Sequence, residues 1–228
     1  MSLLIKICGL STPETLDAAL DAGADMVGFV FFKPSPRHVA FEQARMLAAR
    51  VGSRALKVAL TVDADEKWLA ACIDALDPDL MQFHGHETPD RICALKTRFG
   101  RPVMKALPVE SAVDLVRVAD YRSVADRILF DARAPKDATR PGGLGKPFDW
   151  RLLENLDPGL PFMLSGGLDA GNVAEALRIT RAGGVDVSSG VERAPGEKDA
   201  GKIETFIRAA RAAAAQRAQE TSTGARDA

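Results

Sequence analysis

Cys8 closes the apolar run Leu3-Leu4-Ile5-Lys6-Ile7, and Gly9 follows it. If that run is a parallel strand, the thiol stands at its C-terminal end, where α/β proteins keep their catalytic groups. A free cysteine also serves commonly as a small buried hydrophobe, so position alone leaves both readings open. Asp131 has the same placement after Ile128-Leu129-Phe130. A carboxylate there is costly unless it is paired or functional, and a carboxyl group held against apolar walls can act as an acid near neutral pH. Arg37 follows Pro34-Ser35-Pro36. It is either a solvated loop arginine or a guanidinium fork for an anionic group on a ligand.

Glycine and serine gather in two further places, Ser165-Gly166-Gly167 and Ser188-Ser189-Gly190, with Asp186 just before the second. In a barrel these would be the loops after the seventh and eighth strands, where phosphate is commonly held. No lysine or arginine lies in 165–172 or 184–192. The expected phosphate contacts are therefore backbone N–H groups of Gly166, Gly167, Ser188, Ser189 and Gly190. A side chain at Gly167 or Gly190 would push the phosphate away from those donors. A phosphorylated small molecule is the expected ligand. His84 and His86 share parity and could be argued as metal ligands, but no second His/Asp pair has comparable spacing, which favours a structural role.

These groups need a scaffold that brings them to one rim. Apolar, β-rich runs recur at 3–7, 26–32, 56–62, 79–83, 102–107, 127–131, 161–164 and 184–188, about 26 residues apart on average, the size of one strand–helix unit. Most are apolar on both parities, as parallel strands covered on both faces must be. Helical stripes fill the gaps: Leu16, Ala19, Leu20, Gly23; Ala44, Leu47, Ala48, Val51; Leu69, Cys72, Ile73, Leu76; Val173, Ala176, Leu177, Thr180; and Ile203, Phe206, Ile207, Ala210. Cys72 falls in such a stripe, and Cys93, in a helix of about 89–99, is given the same core role. The fifth and sixth helical segments, near 110–120 and 149–155, are less regular. The expected fold is one (β/α)8 barrel over 1–211, followed by a frayed helix end and disordered tail over 212–228. Lys105 is expected near the end of strand 5, at the rim. The long loop from 132 to 148, with Gly142-Gly143-Leu144-Gly145, is a candidate lid.

Composition narrows the class. The chain of 228 residues is 46% hydrophobic and carries 30 basic against 31 acidic residues. That balance offers no footprint for nucleic acid or an anionic membrane. No run is long enough to span a membrane or to act as a signal peptide. Three cysteines without metal spacing suit free thiols in a cytoplasmic setting.

In this order, Lys6-Ile7-Cys8-Gly9-Leu10, Ser35-Pro36-Arg37, Gln82-Phe83-His84-Gly85, Asp131, Gly142-Gly143-Leu144-Gly145 with Phe148-Asp149-Trp150, Ser165-Gly166-Gly167-Leu168 with Asn172-Val173, and Asp186-Val187-Ser188-Ser189-Gly190-Val191-Glu192 resemble the phosphoribosylanthranilate isomerase family. The resemblance runs from residue 5 to about 207. It departs at Leu144, where a threonine is usual, at Phe83, where leucine is usual, and in strand 3, which lacks an expected phenylalanine. The resemblance implies an Amadori rearrangement by general acid–base catalysis. Asp131 would be the acid, Cys8 the base, Arg37 the holder of the anthranilate carboxylate, and Asp186 an orienting group for ribose hydroxyls or the anthranilate nitrogen. A thiol base needs thiolate at neutral pH, so its pKa is not expected to be raised by burial. No cofactor or metal is implied, and the chain is expected to be a monomer or weak homodimer. The alternatives are a metal-dependent phosphosugar epimerase on the same barrel and a catalytically silent phosphate-ligand binding protein.

Overall fold

Strands apolar on both parities have two faces to bury, and a closed barrel sheathed in helices buries both. The computed structural model describes residues 3–135, 137–138, 140–143, 145 and 147–224. Its strands are β1 (Leu4–Cys8), β2 (Met26–Val30), β3 (Leu56–Thr61), β4 (Leu80–Phe83), β5 (Val103–Val109), β6 (Arg127–Ala132), β7 (Phe162–Leu164) and β8 (Gly184–Val187). They pair in chain order, all parallel, and β8 closes on β1 with Lys6 opposite Asp186. The fold is the expected single-domain (β/α)8 barrel.

Helices α1 (Pro13–Asp21), α2 (Phe41–Val51), α3 (Glu66–Leu76), α4 (Pro89–Phe99), α5 (Val118–Tyr121), α6 (Val173–Thr180) and α7 (Ala200–Gly224) sheathe it. Thr12, Asp65 and Thr88 cap α1, α3 and α4 by accepting the backbone N–H of Thr15, Trp68 and Arg91. The irregular segments are short. A 3-10 turn over Ala112–Arg117 precedes α5, and another over Trp150–Leu153 stands alone between β6 and β7.

The barrel interior is layered. Met26, Val58, Leu80, Met104, Ala106, Leu129 and Met163, with Leu4 against them, form an apolar plug. Two residues further along the strands the same parity carries Lys6, Gly28, Gln82, Asp131 and Asp186, and Cys8, Val30 and Leu60 cluster above them. The other parity, including Ile5, Ile7, Phe29 and Phe130, packs outward on the helices.

Several expectations change. Cys93 is exposed. On α4 the buried positions are Ile92 and Leu95, and one step along a helix turns a side chain about 100° off that stripe. β5 extends to Val109, which leaves Lys105 mid-strand on the outward parity rather than at the rim. α7 continues to Gly224, beyond the expected end of regular helix at 211. Residues 225–228, and Leu144, lie outside the described residues. The chain also forms an unforeseen hairpin, β9 (Glu192–Ala194) with β10 (Glu197–Lys198), around Pro195-Gly196.

Candidate active site at the barrel mouth

A cavity opens at the C-terminal ends of the strands, and Cys8, Arg37, Asp131, Gly166, Gly167, Asp186, Ser188 and Ser189 all line it. Residues from five separate units thus meet in one place. Gly190 does not line it. A Cβ at Gly190 would lie 1.9 Å from the Leu168 carbonyl oxygen, so this glycine lets the β8 loop press on the β7 loop. That packing accounts for a glycine here by its Cα side alone, separately from any contact its N–H makes with a phosphate.

Asp131 Oδ2 lies 3.2 Å from His84 Nε2, and Asp131 Oδ1 accepts the N–H of Ala132 at 3.0 Å. His84, read from the sequence as structural, therefore touches the proposed acid directly, and Gly142 lies close over both. His86 is turned away, almost fully exposed and paired with Asp63 at 3.0 Å. The two histidines do not converge, and the described residues hold no group of three or more side chains placed to bind a metal.

Arg37 is buried, so the solvated reading fails. Its Nε and Nη2 form a two-pronged pair with Glu192, at 2.7 and 2.8 Å, and Nη2 also donates to the Gly143 carbonyl at 3.2 Å. Nη1 makes no hydrogen bond to a described residue, which leaves it as a donor for an anion. Glu192 also accepts from Lys198 Nζ at 2.7 Å, and Lys198 in turn donates to the Ser188 carbonyl at 2.9 Å and hydroxyl at 3.1 Å. The hairpin thus joins the Arg37 side of the cavity to the Ser188 loop. Burial pushes Lys198 down to about 8, against the pull of Glu192. Burial works the other way on Glu192, but Arg37 and Lys198 outweigh it and hold the carboxyl below its ordinary range.

The β7 loop is tied to α6 by Asn172, whose Oδ1 accepts from Asp169 N–H and whose Nδ2 donates to the Gly167 carbonyl, both at 2.9 Å. Gly166 and Gly167 have φ of +86° and +68°, the left-handed region that glycine adopts without strain.

At the cavity floor Lys6 is fully buried, and its Nζ reaches Asp186 Oδ1 at 3.0 Å. Burial pushes the Cys8 thiol up; Lys6 opposes this and Asp186 adds to it. The expectation that Cys8 escapes such a rise is corrected. Lys6 itself is lifted above its ordinary value, because Asp186 and Cys8 outweigh burial. Gln82 is fully buried, lines the cavity, and neither amide atom has a partner among the described residues. Native interiors rarely leave such groups unpaired, so a ligand is its natural partner.

Lys6, Gln82, Glu192 and Lys198 were visible in the sequence but carried no assigned role. Only the Pro195-Gly196 turn between short polar runs could have signalled the hairpin that brings Lys198 back.

A family model described as N-(5'phosphoribosyl)anthranilate (PRA) isomerase matches residues 5–209. The N-(5'-phosphoribosyl)anthranilate isomerase of Bradyrhizobium diazoefficiens is 71% identical over 212 residues, covering 93% of this chain and 95% of the relative. The crystal structure of phosphoribosyl anthranilate isomerase from Thermotoga maritima superposes with a TM-score of 0.84 at 33% identity, over 92% of this chain and 99% of the other. A structure of phosphoribosyl anthranilate isomerase in complex with reduced 1-(o-carboxyphenylamino)-1-deoxyribulose 5-phosphate has a TM-score of 0.81 at 31% identity, with the same coverage.

Proposed function

The chain belongs to the N-(5'-phosphoribosyl)anthranilate isomerase family, and from that premise we propose how its cavity performs the family's reaction. The enzyme converts N-(5-phosphoribosyl)anthranilate to 1-(2-carboxyphenylamino)-1-deoxyribulose 5-phosphate, an Amadori rearrangement in tryptophan biosynthesis. The observation that carries the assignment of roles is that Cys8, Asp131 and Arg37 share one cavity with the glycine and serine loops after β7 and β8.

Asp131 gives a proton to the furanose ring oxygen. The C1–O bond breaks, and the anthranilate nitrogen lone pair completes a protonated Schiff base. The Cys8 thiolate then takes the proton from C2. The C2–H electron pair becomes the C1–C2 double bond of an enolamine, and the C=N pair returns to nitrogen. Tautomerisation gives the ketose. Positioned acids and bases of this kind typically contribute about 10²–10⁴-fold each.

Arg37 Nη1 takes the anthranilate carboxylate, while Glu192 fixes the guanidinium plane. The backbone N–H groups of Gly166, Gly167, Ser188 and Ser189 take the phosphate, supported by Lys198 behind Ser188. Asp186 and Gln82 hydrogen-bond ribose hydroxyls or the anthranilate nitrogen. Every step moves a proton, so this reading calls for no cofactor or metal.

The ligand side of the reading is a phosphorylated small molecule. No helix among the described residues is long and apolar enough to cross a membrane. The free cysteines support a cytoplasmic location. Large exposed apolar side chains among the described residues are Met46, Leu56, Val113 and Val116, few enough to support a monomer or weak homodimer.

The test is to mix freshly made phosphoribosylanthranilate with the protein and follow its fluorescence. Rapid loss with appearance of the ketose product is expected. Tight binding without product would favour a silent binding protein instead.

A further inference from the structure

A thiol at the bottom of a low-dielectric cavity does not ionise without a counter-charge, because burial penalises the thiolate. Burial does push Cys8 up, so its use as a base requires something in the protein to offset that penalty. We propose that Lys6 is a positioning residue in this reaction: its ammonium, fixed between Asp186 and Cys8 on the barrel axis, is the counter-charge for the Cys8 thiolate. The proposal rests on the reading of Cys8 as the base.

Lys6 and Cys8 are two residues apart on β1, so both point into the barrel. The facing position on β2 is Gly28, paired with Cys8 in register. A Cβ there would lie 3.0 Å from Cys8 Sγ and 3.1 Å from Lys6 Nζ. The two atoms therefore flank one point, and the absent side chain leaves them room to face each other. The ammonium has three donors. Asp186 Oδ1 takes one at 3.0 Å, and no oxygen of another described residue takes a second.

The charged groups with the largest effect on Cys8 are Lys6 from β1, Asp186 from β8 and Lys198 from β10, while β2 brings the uncharged Gly28 and Val30. The two lysines favour the thiolate and Asp186 opposes it, with Lys6 the stronger cation. Asp186 and the Cys8 thiolate outweigh burial at Lys6 and hold it above its ordinary value. The layer beneath is wholly apolar, and a buried ion pair contributes little to stability over well-packed apolar residues. Packing alone gives no reason for a lysine here. As Cys8 takes the C2 proton it becomes a neutral thiol, and Lys6 is left balanced by Asp186 alone.

The experiment measures the Cys8 thiolate by its ultraviolet absorbance against pH. A Cys93→Ser background removes the exposed thiol, and Cys8→Ser supplies the blank. Lys6→Met is expected to lower the thiolate fraction at a given pH by about tenfold or more, the effect of losing an opposite charge within about 4–6 Å. The acidic limb of the kcat profile should move the same way. Asp186→Asn should raise the thiolate fraction, and it decides alone if Lys6→Met does not fold. An unmoved thiol in Lys6→Met, or a lower thiolate fraction in Asp186→Asn, overturns the role of Lys6. Full turnover by Cys8→Ala overturns the base assignment and the role with it. An inactive Cys8→Ala beside an unmoved thiol overturns the role of Lys6 alone.

Discussion

Two buried lysine–carboxylate pairs lie in the barrel wall and face opposite ways. Lys6 on β1 points to the axis and meets Asp186; Lys105 on β5 points outward and meets Glu87 at 2.8 Å. The outer pair is saturated. Lys105 also donates to the carbonyls of Phe83 and Gly85, and Glu87 accepts the N–H of Asp63 and Gly85. Tyr121 closes the cluster by donating to the Glu87 carbonyl at 2.9 Å. The inner pair is open. Among the described residues Lys6 has one carboxylate partner and a thiol, and the Gln82 amide in the same layer has no partner. The pKa values of the two lysines shift in opposite directions too: burial wins at Lys105 and lowers it, whereas neighbours win at Lys6 and raise it. A closed buried network holds a loop in place, here the turn that follows His84. An open one is completed by what enters the cavity.

That contrast breaks first if a residue of the open group proves dispensable. Asp131→Asn is expected to keep the fold and lose about 10²–10⁴-fold in kcat, measured with circular dichroism and the fluorescence assay. A loss of less than about tenfold removes Asp131 as the acid. On the closed side, Lys105→Met strands Glu87 and should destabilise the protein by about 3–5 kcal/mol in urea unfolding. Turnover per folded molecule should hold within about tenfold, far less than an acid or base contributes. A stable but inactive Lys105→Met would move that pair into the machinery.

Smaller effects sharpen the same division. Arg37→Met should weaken anthranilate-bearing ligands by about 10–100-fold, the worth of a charged hydrogen bond of about 1.5–3 kcal/mol. Simple phosphosugars should lose less, and equal losses would reduce Arg37 to loop support. Lys198 supplies a pH test. Its folded value, about 8, is below the ordinary 10.5, so between those limits the unfolded chain holds more protons and stability rises with pH. Its contribution to that slope should vanish in Lys198→Met; an identical slope would contradict the assignment. Cys93→Ser, at an exposed site, should change stability by no more than about 0.5 kcal/mol.

The barrel and the strand-end groups were legible because both depend on local order. Apolar runs of double parity announce buried parallel strands, and Cys8, Asp131 and Asp186 stand at or near the ends of such runs. Long-range pairing was not legible. Nothing near Arg37 points to Glu192, 155 residues away, and nothing near Lys6 points to Asp186, 180 residues away. Cys93 was misread because one residue of helical phase separates the core from the surface. The packing of Gly190 on the Leu168 carbonyl was not legible either, because a glycine that admits a phosphate and one that admits a carbonyl look alike in sequence.

The most direct test compares Cys8→Ala with the unmodified protein on freshly made phosphoribosylanthranilate, after unfolding curves have shown that both are folded. The variant should still bind the substrate, and its turnover should fall by about 10²–10⁴-fold. Turnover close to that of the unmodified protein would contradict it, and the C2 proton would have to leave through another group in the cavity.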